Sequence, residues 1–315
     1  MNPSLCPTIA VLLSTYNGEK YLRAQLDSLL AQTYKNWVLV WRDDESADGT
    51  VLIMETFSVE AGEDRCITIQ DTPRRLGAAR SFLHLLAGAQ TYPLLAFMDQ
   101  DDIWLPNKLA RAVEWMRDYP IEVPALYCGR QILVDAGLKP LRLSSPLRRS
   151  PGFPSALIQN VATGCTMVLN EVAAQNIARI KAPDCTLHDW WAYIVVSALD
   201  GVVLFDDEPM ILYRQHATST IGAPTVFRRA VRAIRRGAGP FYSVLNAHIK
   251  SLQGSRCALN SRSTAVLQEI EDALRGGPFA RLSLLTSGTL ERQTVLEDLL
   301  MMYWLLKGPR TVSTS

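Results

Sequence analysis

Three carboxylates follow directly on a short apolar segment of the chain. The run Leu94–Met98 is apolar throughout, and Asp99, Asp101 and Asp102 come just after it. Apolar runs of this length are typical of buried parallel strands, and open α/β sheets bind ligands just beyond the carboxyl ends of such strands. Carboxylates crowded there attract divalent cations, which are often shared with a substrate's phosphates. The segment therefore indicates either metal-bridged phosphate chemistry or an acidic loop that caps the helix opened by Pro106.

A second acidic pair, Asp43 and Asp44, ends the apolar segment Trp37–Trp41. Because parallel strands end at the same edge of a sheet, we expect both acidic groups on one edge. An Asp44 carboxylate can accept a hydrogen bond from the imide N–H of uracil or thymine. Arg80, in the helix that begins near Gly77, can pair with a base, ribose or phosphate, or can simply be solvated. The motifs GxGxxG and GxxxxGKS/T are absent, which argues against a Rossmann oxidoreductase and a P-loop NTPase.

Two further segments contain candidate catalytic or ligand-binding residues. His188 and Asp189 precede Trp190 and Trp191, and a carboxylate partly desolvated by such neighbours has the raised pKa that suits a general base. The alternative is a helix-capping aspartate followed by two core tryptophans. His216 follows a predicted strand, so it can be a metal or diphosphate contact or an ordinary structural histidine.

Strands and helices are predicted to alternate four times over about the first 118 residues. This alternation is typical of a doubly wound α/β fold with a mostly parallel sheet. The segment 139–155 is rich in Pro, Ser and Arg and is predicted to be a mobile loop. From residue 223 onward only helical patterns occur, so we expect a helical extension.

Charge is unevenly distributed along the chain. The net charge is +1, but residues 1–222 carry 19 Lys and Arg against 25 Asp and Glu, whereas residues 223–315 carry 13 against 6. A basic tail indicates an anionic partner such as a membrane surface or nucleic acid, or a helical subdomain whose charges are solvated. The six cysteines form no CxxC pair, and no signal peptide or membrane-spanning run is predicted. We therefore expect a cytosolic protein with reduced thiols.

Four motifs occur in a characteristic order along the chain. They are Ser14-Thr15-Tyr16-Asn17-Gly18, Asp43-Asp44-Glu45-Ser46-Ala47-Asp48-Gly49-Thr50, Asp99-Gln100-Asp101-Asp102 and His188-Asp189-Trp190. In this order they resemble the family 2 glycosyltransferases, which have the GT-A fold. The resemblance covers about residues 7–220. The ending Leu212-Tyr213-Arg214-Gln215-His216 looks most like the bacterial rhamnosyltransferase branch of that family.

The resemblance implies a role for each matching residue. Asp99 and Asp101 match the DxD element, whose second aspartate, here Asp101, is the principal ligand of the Mg²⁺ or Mn²⁺ on the donor's diphosphate. Asp189 matches the catalytic base of inverting members, and His216 falls where some GT-A enzymes have a further metal or diphosphate contact. Asp44 matches a contact to the donor's base. The complete predicted donor-binding set is Ser14, Thr15, Asp44, Arg80, Asp99 and Gln100.

One departure from the family's pattern is Glu45, which stands where glycine or asparagine is commoner and adds a negative charge near the base pocket. The processive-synthase signature QxxRW is absent, so we expect a single-addition enzyme. The resemblance implies an inverting, metal-dependent glycosyltransferase for cell-surface polysaccharide synthesis. Its expected donor is a nucleotide-diphosphate sugar, with dTDP-L-rhamnose as the leading candidate, and its expected acceptor is a glycan or a polyprenyl-diphosphate-linked glycan.

The predicted organisation is a catalytic domain over residues 1–222 and a basic helical extension over residues 223–315. We expect a cytoplasmic enzyme with peripheral contact at the inner face of the cell membrane through the basic tail. A nucleic-acid partner is not expected, because the arginines of the tail lack interleaved aromatic residues apart from Phe227. Two alternatives remain open. One is a sugar-phosphate nucleotidyltransferase, which also uses paired aspartates and a divalent ion, and the other is a non-catalytic binding protein on the same sheet.

Overall fold

The structure is a computed structural model that describes residues 6–69, 75–215, 237–255 and 259–308. The strands in these ranges are β1 (Ile9–Thr15), β2 (Trp37–Asp43), β3 (Cys66–Thr68), β4 (Leu94–Met98), β5 (Ile103–Trp104), β6 (Ala125–Gly129), β7 (Ile132–Val134), β8 (Pro140–Leu143), β9 (Val168–Asn170), β10 (Val202–Asp206) and β11 (Ile211–Arg214). The helices are α1 (Leu22–Leu30), α2 (Thr50–Ala61), α3 (Ala78–Ala89), α4 (Lys108–Arg117), α5 (Glu171–Arg179), α6 (His188–Ala198), α7 (Gly239–Gln253), α8 (Ser261–Arg275), α9 (Pro278–Thr286) and α10 (Val295–Lys307).

A seven-stranded sheet carries the candidate site. Its strand order is β10-β6-β9-β4-β1-β2-β3, and the pairing is parallel except at β9, which runs antiparallel to β4 and β6. The central parallel strands are apolar along their length because helices cover both faces of the sheet. The mostly parallel α/β sheet flanked by helices that the sequence predicts is therefore confirmed.

Alternate residues of β1 pack into two different cores. Ala10 and Leu12 belong to the core that also contains α3, α5 and α6, whereas Ile9, Val11 and Leu13 belong to the core that contains α1, α2 and α4. Successive side chains of a strand point to opposite faces, so both faces of β1 are buried. A slip of one residue would exchange the two sets, and the register that brings the strand ends together is therefore strongly specified.

The C-terminal helices extend the core on the α6 side. Tyr242 of α7, Leu267 of α8 and Met301 of α10 are buried in the same apolar cluster as Trp191 of α6. The predicted helical extension is therefore confirmed. The predicted boundary at residues 222 and 223 lies outside the described residues, so it stays a prediction. No helix of the described ranges is long and apolar enough to cross a membrane.

A buried histidine joins this extension to the loop before α6. His248 of α7 makes a hydrogen bond of 2.7 Å between Nε2 and the Thr186 hydroxyl, and its Nδ1 lies 3.0 Å from the Leu157 carbonyl oxygen. Burial lowers the pKa of His248 to about 4. The imidazole is therefore neutral at physiological pH, as its position in the core requires.

A second sheet, of order β5-β11-β7-β8, lies beside the first. The prediction of a loop over residues 139–155 is wrong for Pro140–Leu143, which form β8 antiparallel to β7. All four residues of β8 are exposed, so this edge strand lacks the apolar alternation by which strands are predicted. Beyond the strand, Arg149 pairs with Asp298 of α10 at 2.6 Å, which ties the segment to the helical extension.

Candidate active site

The strands β1, β2 and β4 end side by side. Thr15 is in register with Asp43, and Leu13 with Met98. The Thr15 hydroxyl donates to Asp43 Oδ1 at 2.8 Å, and the Asp44 N–H donates to the Thr15 carbonyl at 2.8 Å. The two acidic clusters therefore lie at one edge of the sheet. Of the two predicted donor-binding residues in β1, Thr15 is buried and Ser14 is partly exposed.

Gln100 links β4 to the turn after β1. Its side-chain oxygen accepts from the Tyr16 N–H and its amide donates to the Tyr16 carbonyl, both at 2.9 Å. A Cβ at Gly18 would lie 2.5 Å from the Gln100 side-chain oxygen, so glycine leaves room for this contact. In the structure Gln100, a predicted donor-binding residue, therefore positions the TYNG turn at the site.

Asp44 is buried and has three internal hydrogen-bond donors. It accepts hydrogen bonds from Arg42 Nη1 at 2.6 Å, from the Leu76 N–H at 2.6 Å and from the Gly77 N–H at 2.8 Å. Burial alone would raise its pKa, but these three donors outweigh that effect and hold the pKa of Asp44 below its usual value. Asp44 is therefore a carboxylate that fixes the chain before α3, and a nucleobase would have to share it with these partners.

Glu45 adopts the left-handed backbone conformation, with φ of 67°. A side chain of this length is strained there, whereas glycine and asparagine tolerate the region. The commoner DDGS and DDNS sequences of the family thus have a backbone explanation. The carboxylate of Glu45 is exposed.

We expect Glu45→Gly to stabilise the protein. Relief of the left-handed conformation should raise the free energy of unfolding by ~1–2 kcal/mol. The greater freedom of glycine in the unfolded chain should reduce that gain by about 0.5–1 kcal/mol. The thermal midpoint should rise by a few degrees, as differential scanning calorimetry would measure. Glu45→Ala is the matched control because it removes the charge and keeps the strain. An equal rise in both variants would contradict a backbone origin.

Three carboxylates crowd the turn after β4. Burial, followed by the charges of Asp101 and Asp189, raises the pKa of Asp99 to about 8. Asp102 is 1% exposed, and burial together with Asp99 and Asp101 raises its pKa well above the usual value. Its Oδ1 accepts the Arg214 N–H at 3.0 Å, whereas Oδ2 has no hydrogen-bond partner among the described residues. Buried carboxylates of this kind call for a cation.

The described residues include one compact group of possible metal ligands. Ligand atoms of Asp99, Asp102 and Cys165 lie within 4.8 Å of one another. The sequence predicts Asp99, Asp101 and His216 as ligands. Of these the compact group contains Asp99, together with Asp102 and Cys165, and Asp101 is not part of it. Burial raises the pKa of the Cys165 thiol well above its usual value. A neutral thiol is a poor ligand for Mg²⁺ or Mn²⁺, and the carboxylates are the donors that suit these ions.

Arg214 hydrogen-bonds the backbone of the acidic turn after β4. This residue is 4% exposed, and it donates from Nε to the Asp101 carbonyl at 2.8 Å and from Nη1 to the Ala136 carbonyl at 2.6 Å. Its guanidinium also lies 4.4 Å from the centre of the Tyr21 ring. A buried arginine thus connects β11, the backbone of the acidic turn and the residue that precedes α1.

Asp189 lies in the first turn of α6 and is 7% exposed. Its Oδ2 accepts the Gly164 N–H at 3.1 Å and its Oδ1 accepts the Trp190 N–H at 2.6 Å. Burial raises the pKa of Asp189 to about 6, although hydrogen bonds from Trp190, Gly164 and Asn160 oppose the rise. Gly164, which donates to Asp189, directly precedes Cys165 of the Asp99 group, so Asp189 lies near the acidic turn, and its charge contributes to the raised pKa of Asp99. A carboxylate of this pKa beside a cation site is equipped for general-base chemistry.

The aromatic neighbours of Asp189 pack in or against the core. The N-cap of α6 is Leu187, so Asp189 is not the capping residue that the alternative interpretation required. Trp191 is fully buried, whereas Trp190 is partly exposed and donates from Nε1 to the Ala156 carbonyl at 2.7 Å. His188 stacks on Phe82 at 4.1 Å between ring centres, and burial lowers its pKa to about 3.

The comparison with protein families agrees with this geometry. The family described as Glycosyl transferase family 2 matches residues 10–169, which is half of the chain and includes β1, β4 and both acidic clusters. The chain belongs to glycosyl transferase family 2. This membership favours the glycosyltransferase prediction over the nucleotidyltransferase and binding-protein alternatives.

Relatives of this glycosyltransferase are named for different sugars. The dTDP-rhamnosyl transferase RfbG of Shigella flexneri is 29% identical over 231 residues, which are 69% of this chain and 75% of RfbG. The protein named UDP-Glc:alpha-D-GlcNAc-diphosphoundecaprenol beta-1,3-glucosyltransferase WfgD of Escherichia coli is 32% identical over 108 residues, or 34% of this chain and 40% of WfgD.

Solved structures show the same GT-A fold. S. aureus TarS 1–349 in complex with UDP-GlcNAc superposes with a TM-score of 0.57 at 17% identity, covering 78% of this chain and 66% of that one. GalNAc-T7 with UDP, GalNAc and Mn²⁺ superposes with a TM-score of 0.50 at 12% identity, covering 75% of this chain and 49% of GalNAc-T7.

The remaining predicted site residues of the glycosyltransferase have separate positions. Arg80 of α3 is exposed and pairs with the exposed Asp184 at 2.8 Å, a contact of the weakly stabilising surface kind. Arg75, which was not among the predicted site residues, lies beside the predicted donor contact Asp44: its guanidinium is 3.7 Å from the centre of the Tyr16 ring, and its Nε is 3.9 Å from Asp44 Oδ2. His216 lies outside the described residues, so its role stays a prediction.

Arg75 and Arg214 were both visible in the sequence as basic residues beside a motif. Arg75 stands two residues before Gly77, and Arg214 ends the strand that precedes His216. Neither position reveals a partner, because the Tyr16 ring and the Asp101 carbonyl approach these arginines only through tertiary contacts.

Proposed function

We propose that this glycosyltransferase is an inverting, metal-dependent enzyme that adds one sugar and uses Asp189 as its catalytic base. The observation that carries the proposal is the buried Asp189 carboxylate, with a pKa of about 6, beside the Asp99 cluster. A base with this pKa is mostly ionised at neutral pH and can still accept a proton from an acceptor hydroxyl.

The carboxylates of the acidic turn and of Asp189 support this mechanism. As the bond between the sugar and the diphosphate breaks, negative charge develops on the leaving group. A Mg²⁺ or Mn²⁺ held by Asp99 and Asp101, with Asp102 next to them, would stabilise that charge when bound. Asp189 takes the proton from the acceptor hydroxyl, whose oxygen attacks the anomeric carbon from the face opposite the diphosphate. The anomeric configuration is inverted in one step.

We propose a dTDP-sugar, with L-rhamnose as the first candidate, as the donor. The 29% identity to a protein named dTDP-rhamnosyl transferase supports this choice, as does the resemblance of the segment Leu212–His216. We propose that the donor's base lies near Ser14, Asp44 and Arg75; the 3.9 Å approach of Arg75 to Asp44 supports this position. The acceptor that we propose is a glycan hydroxyl, on a free or polyprenyl-diphosphate-linked chain, because WfgD is named for a lipid-diphosphate-linked acceptor.

Nucleotide release from a panel of donors tests this proposal. The panel contains dTDP-rhamnose, several UDP-hexoses and GDP-mannose, each with Mn²⁺, with Mg²⁺ and with EDTA. Slow donor hydrolysis is expected without acceptor, since water can replace the acceptor hydroxyl. We expect metal-dependent release from one donor and its loss in Asp101→Ala. Release that persists in EDTA would contradict metal dependence, and absence of both release and donor binding would contradict the proposed transfer.

A further inference from the structure

Helix α10 is apolar on both of its sides. Its inner side contributes to the core, where Met301, Trp304 and Leu305 are buried. Its outer side exposes Val295 (68%), Leu296 (46%), Leu299 (57%), Tyr303 (52%) and Leu306 (41%). At 3.6 residues per turn these five positions lie within an arc of about 100°. They therefore form one continuous stripe along the helix.

Helix α9 adds two further side chains of the same kind. Phe279 is 87% exposed and Leu282 is 43% exposed. The two helices pack against each other, and Arg281 of α9 donates to the Leu305 carbonyl of α10 at 3.4 Å. We call these seven residues the apolar face: Phe279, Leu282, Val295, Leu296, Leu299, Tyr303 and Leu306. Exposed apolar surface concentrated in this way marks an interaction site.

The charges of the helices that carry the apolar face are arranged asymmetrically. In the sequence of α9 the only charged residue is Arg281. On α10, Lys307 lies at the end of the stripe, with Nζ 5.4 Å from the centre of the Tyr303 ring. The acidic residues of α10 are turned inward: Glu297 is 9% exposed, and Asp298 pairs with Arg149. Among the described residues of these two helices, the accessible charge is therefore cationic.

The sequence contains a further group of arginines shortly before α7. Arg228, Arg229, Arg232, Arg235 and Arg236 lie outside the described residues, and the described chain resumes at Gly237. Helix α7 then begins beside the end of α10, because the Tyr242 hydroxyl donates to the Leu305 carbonyl at 3.0 Å. Apolar side chains bordered by Lys and Arg are typical of surfaces that lie in an anionic lipid interface. A second copy of the chain would bring its own cations to such a face, which disfavours pairing.

The start of α10 also lies close to the catalytic base. Gln159 accepts the Gln293 N–H at 2.8 Å and donates to Glu297 at 3.2 Å. The next residue, Asn160, is close enough to Asp189 to lower its pKa. A surface that contacts the apolar face would therefore lie near the proposed base, because Gln159 and Asn160 connect the start of α10 to Asp189.

We propose that the apolar face docks this glycosyltransferase on an anionic lipid bilayer. The proposal deepens the proposed function, and the part that concerns the acceptor rests on it: docking holds Asp189 near the headgroup layer, where the hydroxyl of a lipid-linked acceptor would lie. The inserted groups are the aliphatic and aromatic side chains of α9 and α10, and the bordering cations contact the lipid phosphates.

Vesicle co-sedimentation of the full chain tests the docking. The probes are vesicles of phosphatidylcholine mixed with phosphatidylglycerol, compared with pure phosphatidylcholine. We expect the wild type to sediment with the anionic vesicles, and Leu299→Gln/Leu306→Gln to lower the partition coefficient at least about tenfold, since two leucines lose their burial in lipid. The matched control is Leu52→Gln/Val59→Gln on α2, where the exposed fractions are 68% and 73%. This control should partition like the wild type.

Three outcomes would overturn the docking. The first is a wild type that stays in solution, and the second is an α10 variant that partitions like the wild type, because the arginine segment would then act alone. The third is a dimer in analytical ultracentrifugation that the α10 variant dissociates while lipid binding is unchanged, which would assign the face to a second copy. Donor hydrolysis without vesicles should be the same in wild type and both variants. Failure of the docking and failure of glycosyl transfer are therefore distinguishable.

Discussion

Asp189→Asn is expected to lose about 10²–10⁴-fold in the rate of transfer to an acceptor while it still binds the donor, because general-base assistance typically contributes this much. The amide cannot take up the acceptor's proton. The side-chain amide of asparagine has one oxygen and one nitrogen in place of the two carboxylate oxygens. Its NH₂ group cannot accept a backbone N–H, so one of the hydrogen bonds from Gly164 and Trp190 is lost. Single-turnover transfer and donor titration on the same samples measure the two effects separately.

The pH dependence of the wild type provides a second measure of the same base. The pKa of Asp189 is raised to about 6, so lowering the pH through this value protonates the base. We expect kcat/KM to fall about tenfold per pH unit below the pKa and to be level above it. Asp118→Asn, which changes an exposed carboxylate at the end of α4, serves as the control and should behave as the wild type. Near-normal turnover of Asp189→Asn would show that the base is elsewhere.

Asp99→Asn is expected to lose at least about 10²-fold in donor turnover, because metal stabilisation of a leaving diphosphate is worth several kcal/mol. The substitution should also change the melting temperature, and the change should differ between samples with and without metal. In the absence of metal the variant should have a higher melting temperature than the wild type at neutral pH. The reason is that a carboxyl whose pKa is raised to about 8 in the folded protein ionises more readily in the unfolded chain, and an amide does not have this free-energy cost of folding. Addition of Mn²⁺ should raise the melting temperature of the wild type but not that of the variant.

Thermal melts of wild type, Asp99→Asn and Asp118→Asn, with and without Mn²⁺, would check this prediction. The exposed Asp118 has no part in the cluster, so its variant should follow the wild type in both conditions. Mn²⁺ that stabilises Asp99→Asn as strongly as the wild type would exclude Asp99 as a ligand. The melts need neither donor nor acceptor, so they test the ion site independently of the sugar that is transferred.

The sequence by itself determined the fold class and the edge of the sheet at which the acidic groups lie. Buried parallel strands must be apolar along their length, so the runs before Asp43 and Asp99 were recognisable, and parallel strands bring their carboxyl ends to one edge. The register pairs of Thr15 with Asp43 and of Leu13 with Met98 agree with that inference. The order of motifs, rather than any single one, indicated the family. The edge strand β8 was missed because its exposed residues carry no apolar alternation.

Only the tertiary structure decided which partners each site residue has. Asp44 accepts hydrogen bonds from Arg42 and from the Leu76 and Gly77 backbone. Gln100 hydrogen-bonds the Tyr16 backbone, 84 residues away in the sequence. The approach of Asp189 to Asp99 and of Arg214 to the Asp101 carbonyl likewise depends on how α6 and β11 pack. Spacing in a sequence specifies which face of an element a residue occupies. The desolvation and the hydrogen bonds that set the pKa of a carboxylate come from residues distant in the chain, and only packing brings these together.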